Sequence, residues 1–135
     1  VKNTNPDNEW YGSSGGEDTQ DRIFLLSIEE VTCKYFGNSS ALLLNPSEKQ
    51  RYWFQRKDKN NVRRRARFKD SSWWWWLRSP GRTNKRGVYI HGDGNVGLQG
   101  NSTFKYGSNT IHPSTGDNSG GVRPTLWRKI TDNES

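Results

Sequence analysis

The chain holds one cysteine, Cys33, no methionine and no apolar run long enough to cross a bilayer. A single cysteine excludes an intrachain disulfide, which fits a reducing compartment, or a bacterial or viral protein that needs none. No stretch of these residues reads as a signal peptide or a membrane-spanning helix. With no methionine even at position 1, the chain is expected to be a piece of something longer, from which any targeting segment would have been lost. Aliphatic side chains are also scarce. Hydrophobic residues make up 29 % of the 135, against about 45–50 % in ordinary globular chains. Low hydrophobicity with abundant charge is the composition of chains that fail to offset their own entropy.

Aromatic residues argue the other way. They supply 13 % of the chain, with seven tryptophans. Each ring buries about 150–250 Å², so a small aromatic core in one domain is expected. Lys and Arg outnumber Asp and Glu 21 to 14, for a net charge of +7. That balance permits a nucleic acid, an anionic glycan or an acidic surface as partner, and does not choose among them.

Catalytic patterns are missing. There is no HExxH, CxxC, GxSxG or P-loop spacing. His91 and His112 are the only histidines. Cys33 follows Glu29 and Glu30 by four and three residues on a predicted helix, and nearby carboxylates disfavour a thiolate. It is expected as a small buried side chain. Asp93 and Asn95 in HGDGNVG faintly resemble a calcium loop but lack its remaining ligands. The expectation is therefore no enzyme, no metal and no cofactor.

Along the chain, Val1 to Gln20 reads as a polar loop or arm, with Trp10 and Tyr11 as its anchors. Ile23 to Leu26 reads as a short buried strand. Ser27 then caps a helix, and Glu30 three residues on completes a capping box. Val31, Tyr35 and Phe36 extend the helical face, and Gly37-Asn38 stops it. Ala41 to Asn45 is a further short apolar piece. Arg51 to Lys69 is basic, with Tyr52, Trp53, Phe54 and Phe68 interleaved. It either follows a phosphate backbone or forms a solvated face whose arginine stems cover aromatic rings. Val88 to Gly100 reads as a hairpin turning at Gly92-Asp93-Gly94. Lys105 to Gly121 is a polar loop, and Val122 to Ile130 a final edge strand, since Pro124 lacks an amide donor. Residues 131–135 are expected to fray.

Between these sits SSWWWWLRSPG, Ser71 to Gly81. Strand alternation puts Trp74 and Trp76 on one face and Trp73 and Trp75 on the other. One pair is expected in the core. Arg78 is expected to pair with a carboxylate such as Asp21. After it come Arg82, Thr83, Asn84, Tyr89, His91, Asp93, Asn95, Asn101, Ser102, Tyr106, Ser108 and Asn109. Side chains of this kind suit a recognition surface, and equally an ordinary hydrophilic loop.

Three pieces together, DRIFLLSIEEV, WWLRSPG and GVRPTLW, resemble a bacterial and phage family of C-type lectin-like domains related in fold to formylglycine-generating enzymes. The motif residues are Trp75, Trp76, Leu77 and Arg78, then Gly121, Val122, Arg123, Pro124 and Trp127. The resemblance implies an α+β, C-type lectin-like fold over 21–130: a short helix and a small antiparallel sheet with long loops. With no first half visible before Asp21, the chain is read as its C-terminal part, a missing N-terminal segment being a candidate partner. Members include target proteins of diversity-generating retroelements, whose ligand-facing positions are mutated from Asn-type codons. Tyr89, His91, Gly92, Asp93, Asn95, Asn101, Ser102, Tyr106, Ser108 and Asn109 belong to that reachable set, whereas Lys85, Gln99 and Lys105 do not. The resemblance thus implies a non-catalytic receptor or adhesion module with a variable segment at about 82–120. It would bind a protein or glycan outside the cell, at a cell surface or on a virion. The alternatives are a nucleic-acid-binding protein working through Arg51 to Arg67 and an enzyme of the formylglycine-generating type. That chemistry needs a cysteine pair, and Cys33 stands alone.

Overall fold

A computed structural model describes residues 1–37, 59–106 and 120–128, the side chains of Lys105 and Tyr106 excepted. The described architecture is α+β. Its centre is an antiparallel sheet of three strands in the order β5 (Trp75–Pro80), β6 (Arg86–Ile90), β7 (Val96–Ser102). Two small hairpins stand beside it: β1 (Lys2–Asn3) with β2 (Thr19–Gln20), and β3 (Ala66–Phe68) with β4 (Ser71–Trp73). The helices are short: α1 (Glu30–Lys34), α2 (Asn61–Arg64) and α3 (Thr103–Tyr106).

The expected hairpin is present. Trp75 pairs with Ile90 and Trp76 with Tyr89, and Tyr89 in turn faces Gly97. His91 and Asn95 close the turn, with Asn95 O accepting from His91 N at 2.8 Å. Gly94 sits there at φ +92°, where a Cβ would stand 1.9 Å from the Asn61 carbonyl oxygen. Gly100 does not end β7 as expected. At φ +77° it bends the strand, which runs on to Ser102.

Alternation along β5 is strict. Trp75, Leu77 and Ser79 are buried; Trp76, Arg78 and Pro80 are half-buried on the other face. Trp75, Leu77, Val88, Ile90, Val96 and Leu98 form the core with Phe24, Leu26, Ile28 and Val31. Of the four tryptophans only Trp75 enters this core, not a pair. Its indole N–H donates to the Arg64 carbonyl at 2.9 Å. Trp73 turns to Phe68 on β3, with ring centroids 5.8 Å apart. Trp74 stands edge-on to Trp76 at 4.8 Å and to Tyr89 at 5.6 Å.

The capping box forms as the spacing requires. Ser27 N donates to Glu30 Oε1 at 3.0 Å, and Glu30 N to Ser27 Oγ at 3.3 Å. The helix it opens is a single wide turn, with Tyr35 N bonded to Glu30 O. Cys33 in that turn is half-buried rather than fully buried. Ile23 to Leu26 is not a regular strand. Phe24 makes one antiparallel bridge with Thr125, and Ile23 is exposed. The same bridge is what remains of the expected Val122 strand. Val122, Leu126 and Trp127 are exposed, and Gly121 makes a separate parallel bridge to Trp75.

Val1 to Gln20 is folded against the body rather than extended as an arm. Asn8 is buried, and its side-chain amide donates to the carbonyls of Pro80 (2.9 Å) and Leu98 (3.1 Å). Trp10 and Tyr11 pack against the core, as their anchoring role requires. Arg78 pairs with Glu30, not Asp21. Asp21 instead accepts from Thr19 Oγ1 and from Asn3 Nδ2, which hold its carboxyl below the ordinary value. Among the described residues no helix is long and apolar enough to cross a membrane. Ala41 to Asn45, Tyr52 to Phe54 and the frayed-tail reading of 131–135 lie outside the described residues.

Candidate functional site

Half-exposed side chains on the outer face of β5 meet two loops. The first is the tight turn between β5 and β6. Gly81 N bonds to Arg86 O, Arg82 N to Gln99 O and Arg86 N to Thr83 O. Lys85 O accepts both the amide and the hydroxyl of Thr103, which fixes α3 beside the turn. The second is the run Tyr11-Gly-Ser-Ser-Gly-Gly16. Ser13 Oγ donates to Gly81 O. Gly15 lies so close to Asn5 that a Cβ would stand 2.2 Å from its carbonyl oxygen. Between these loops opens a cleft of about 500 Å³. Trp76 and Arg78 line its strand side, Asn84, Arg86 and Thr103 its turn side, and Ser14 to Gly16 its far wall.

The polar complement of this cleft is mostly donors. Arg78 is engaged by Glu30, the carbonyls of Leu25 and Thr4, and Asn5 Oδ1. Arg86 gives one N–H to Gly100 O at 3.2 Å and is otherwise exposed. Asn84 supplies an amide that can donate and accept. Trp76 contributes a half-buried indole against which Gly87 packs closely. A Cβ there would come within 3.0 Å of the ring.

The structure divides the expected recognition residues between the two ends of the hairpin. A five-residue strand spans about 17 Å at roughly 3.3–3.4 Å per residue. Arg82, Thr83 and Asn84 are exposed at one end, where Asn101 and Ser102 are half-buried. His91 and Asp93 lie at the other, paired at 3.1 Å. Two expected surface residues are interior. Tyr89 is buried: its ring fills the notch left by Gly97, and its hydroxyl accepts from Gln99 Nε2. Asn95 is buried between Asp93 and Asn61. The backbone of Tyr106 ends α3; Ser108 and Asn109 lie outside the described residues. Ser14 to Gly16 was missed by sequence reasoning, although the glycine run was its visible signal. Trp76 and Arg78 belong to the scaffold motif, and each also faces the cleft.

A second cavity, of about 330 Å³, lies across the tryptophan string. Ala66 to Phe68, Trp73 to Trp75 and Gly120 to Arg123 line it. In the basic stretch, Arg63, Arg65 and Arg67 are exposed, whereas Arg64 is buried and donates to Val31 O and Asn61 Oδ1. Arg64 therefore does not present its charge to a phosphate backbone. Residues 51–58 lie outside the described residues. Among the described residues no cluster of three metal-ligating side chains occurs.

Residues 1–130 match the family model of a domain of unknown function, DUF6273, and the chain belongs to that family. No curated protein and no solved structure matches the chain.

Proposed function

We propose that this DUF6273 chain is a non-catalytic ligand-binding module, and that its ligand enters the cleft between Trp76, Asn84 and the glycine run. On this reading the scaffold is C-type lectin-like and the chain works outside the cell, on a cell surface or a virion, as in diversity-generating retroelement proteins. The observation that carries it is the cleft itself. It unites a half-buried indole, an exposed amide and an exposed guanidinium on a sheet whose other face is the core. Binding sites concentrate energy in such aromatic and arginine anchors. Variation is also affordable there, because Arg82 to Asn84 are exposed and their side chains carry none of the core packing.

The test uses a labelled chain on an array of surface glycans and on intact bacterial cells. Selective retention is expected, with at least a tenfold loss on Trp76→Ala and on Asn84→Ala and no change in circular dichroism. No retention, or retention indifferent to both substitutions, overturns the reading.

A further inference from the structure

We propose that the groove across Trp73–Trp75 is a separate binding site for a hexuronate, a pyranose ring bearing one carboxylate. The case begins with Arg123. Its guanidinium lies 4.6 Å above the Trp75 ring and 5.7 Å from Phe36. Its Nη1 is buried and has no hydrogen-bond partner. Ring faces attract the charge, but they leave a buried N–H unsatisfied, which is costly for a charged group. An anion that accepts from it relieves that cost, and a carboxylate matches the guanidinium fork.

The described charged groups in the groove have one sign. Among the described residues Arg67 and Arg123 line it, and no carboxylate does. The aromatic walls supply the remainder. Phe68 is half exposed and its ring lies tilted against Trp73. Flat faces of this kind take up the apolar face of a sugar ring, while the open Arg67 side leaves hydroxyls in water. A volume of about 330 Å³ is near the lower end of small-molecule sites, about 300–1,000 Å³, and so suits one ring rather than a chain. Burial also holds the Arg123 guanidinium below its ordinary pKa, as expected for a cation still short of a counter-ion.

The experiment titrates the whole chain with galacturonate, galactose, benzoate and a single-stranded oligonucleotide, reading the indole N–H signals by nuclear magnetic resonance. Galacturonate is expected to shift Trp73 and Trp74 and saturate at millimolar concentration, with galactose at least tenfold weaker. Arg123→Gln should lose at least tenfold, Arg67→Gln two- to fourfold, and Asn84→Ala nothing. Should Arg123→Gln fail to fold, the exposed Arg67 variant and the galactose comparison still decide. Equal binding of galactose and galacturonate overturns the proposal. So does tighter binding of benzoate, which would mean a planar aromatic acid. An oligonucleotide displacing galacturonate with a steep salt dependence overturns it in favour of a phosphate backbone.

Discussion

Arg78 on β5 and Glu30 on α1 form a shielded ion pair, and the same Glu30 Oε1 accepts the amide of Ser27. One carboxylate oxygen thus closes the helix cap and ties the helix to the sheet. The two side chains are only 15 % and 11 % exposed. Arg78 also donates to the carbonyls of Leu25 and Thr4 and to Asn5 Oδ1, so the pair gathers the N-terminal segment as well.

Removing one member leaves the other uncompensated. Arg78→Leu is expected to lower unfolding free energy by about 3–5 kcal/mol. Glu30→Gln keeps an oxygen for Ser27 and should cost less. Urea denaturation of both single variants and the double variant should give a coupling of about 0.5–3 kcal/mol. Additive losses would show that the pair is not coupled.

Tyr89 is buried because Gly97 has no side chain. A Cβ on Gly97 would stand 2.3 Å from Tyr89 Cζ. Gly97→Ala is expected to destabilise by about 1–3 kcal/mol through overpacking. In a Tyr89→Ala background the same change should cost little. An equal cost in both backgrounds would place the strain elsewhere.

Asp93 gives the fold an acid-sensitive corner. Burial raises its pKa, but hydrogen bonds from the amide and side chain of Asn95, with His91 beside it, leave the carboxyl below its ordinary value of 3.8. A group depressed on folding contributes its full stability above the unfolded pKa and loses it as pH falls through the lower folded one. Unfolding midpoints of the wild-type chain should therefore fall more steeply below about pH 4 than those of Asp93→Asn. Parallel curves would remove Asp93 from the acid limb.

The turn between β3 and β4 places Lys69 and Asp70 at φ 49° and 64°. Left-handed backbone costs a side-chain-bearing residue about 1–2 kcal/mol, and Asn-Gly is the favoured pair for such a turn. Replacing Lys69-Asp70 with Asn-Gly should raise stability by about 1 kcal/mol. Thermal melting would check it; no gain would mean that Lys69 Nζ over the Phe68 ring, at 5.2 Å, offsets the strain.

How far the sequence reached depended on the range of the interaction. The capping box, the Val88 to Leu98 hairpin and the two-faced alternation of the tryptophans all rest on contacts a few residues apart. Spacing alone encodes those, through the periods of helix and strand. Trp75 rather than Trp73 as the core ring was not legible, because both lie on one side of an alternating string. The choice follows from the chain changing strands at Trp74, which leaves Trp73 to pair with Ala66 and Trp75 with Ile90.

Composition and periodicity by themselves determined a basic surface and the hairpin that follows the tryptophans, whereas the core they predicted as aromatic is mostly aliphatic among the described residues, with Phe24 and Trp75 its aromatic members. Tertiary structure decided the remainder. It folded Val1 to Gln20 against the body so that Ser14 to Gly16 wall a cleft, chose Glu30 over Asp21 for Arg78, and sent Tyr89 and Asn95 inward. Each of these outcomes depends on partners more than thirty residues away in sequence, or on a missing Cβ across a strand pair. Local patterns carry no record of what will stand opposite, and only the closed fold supplies it.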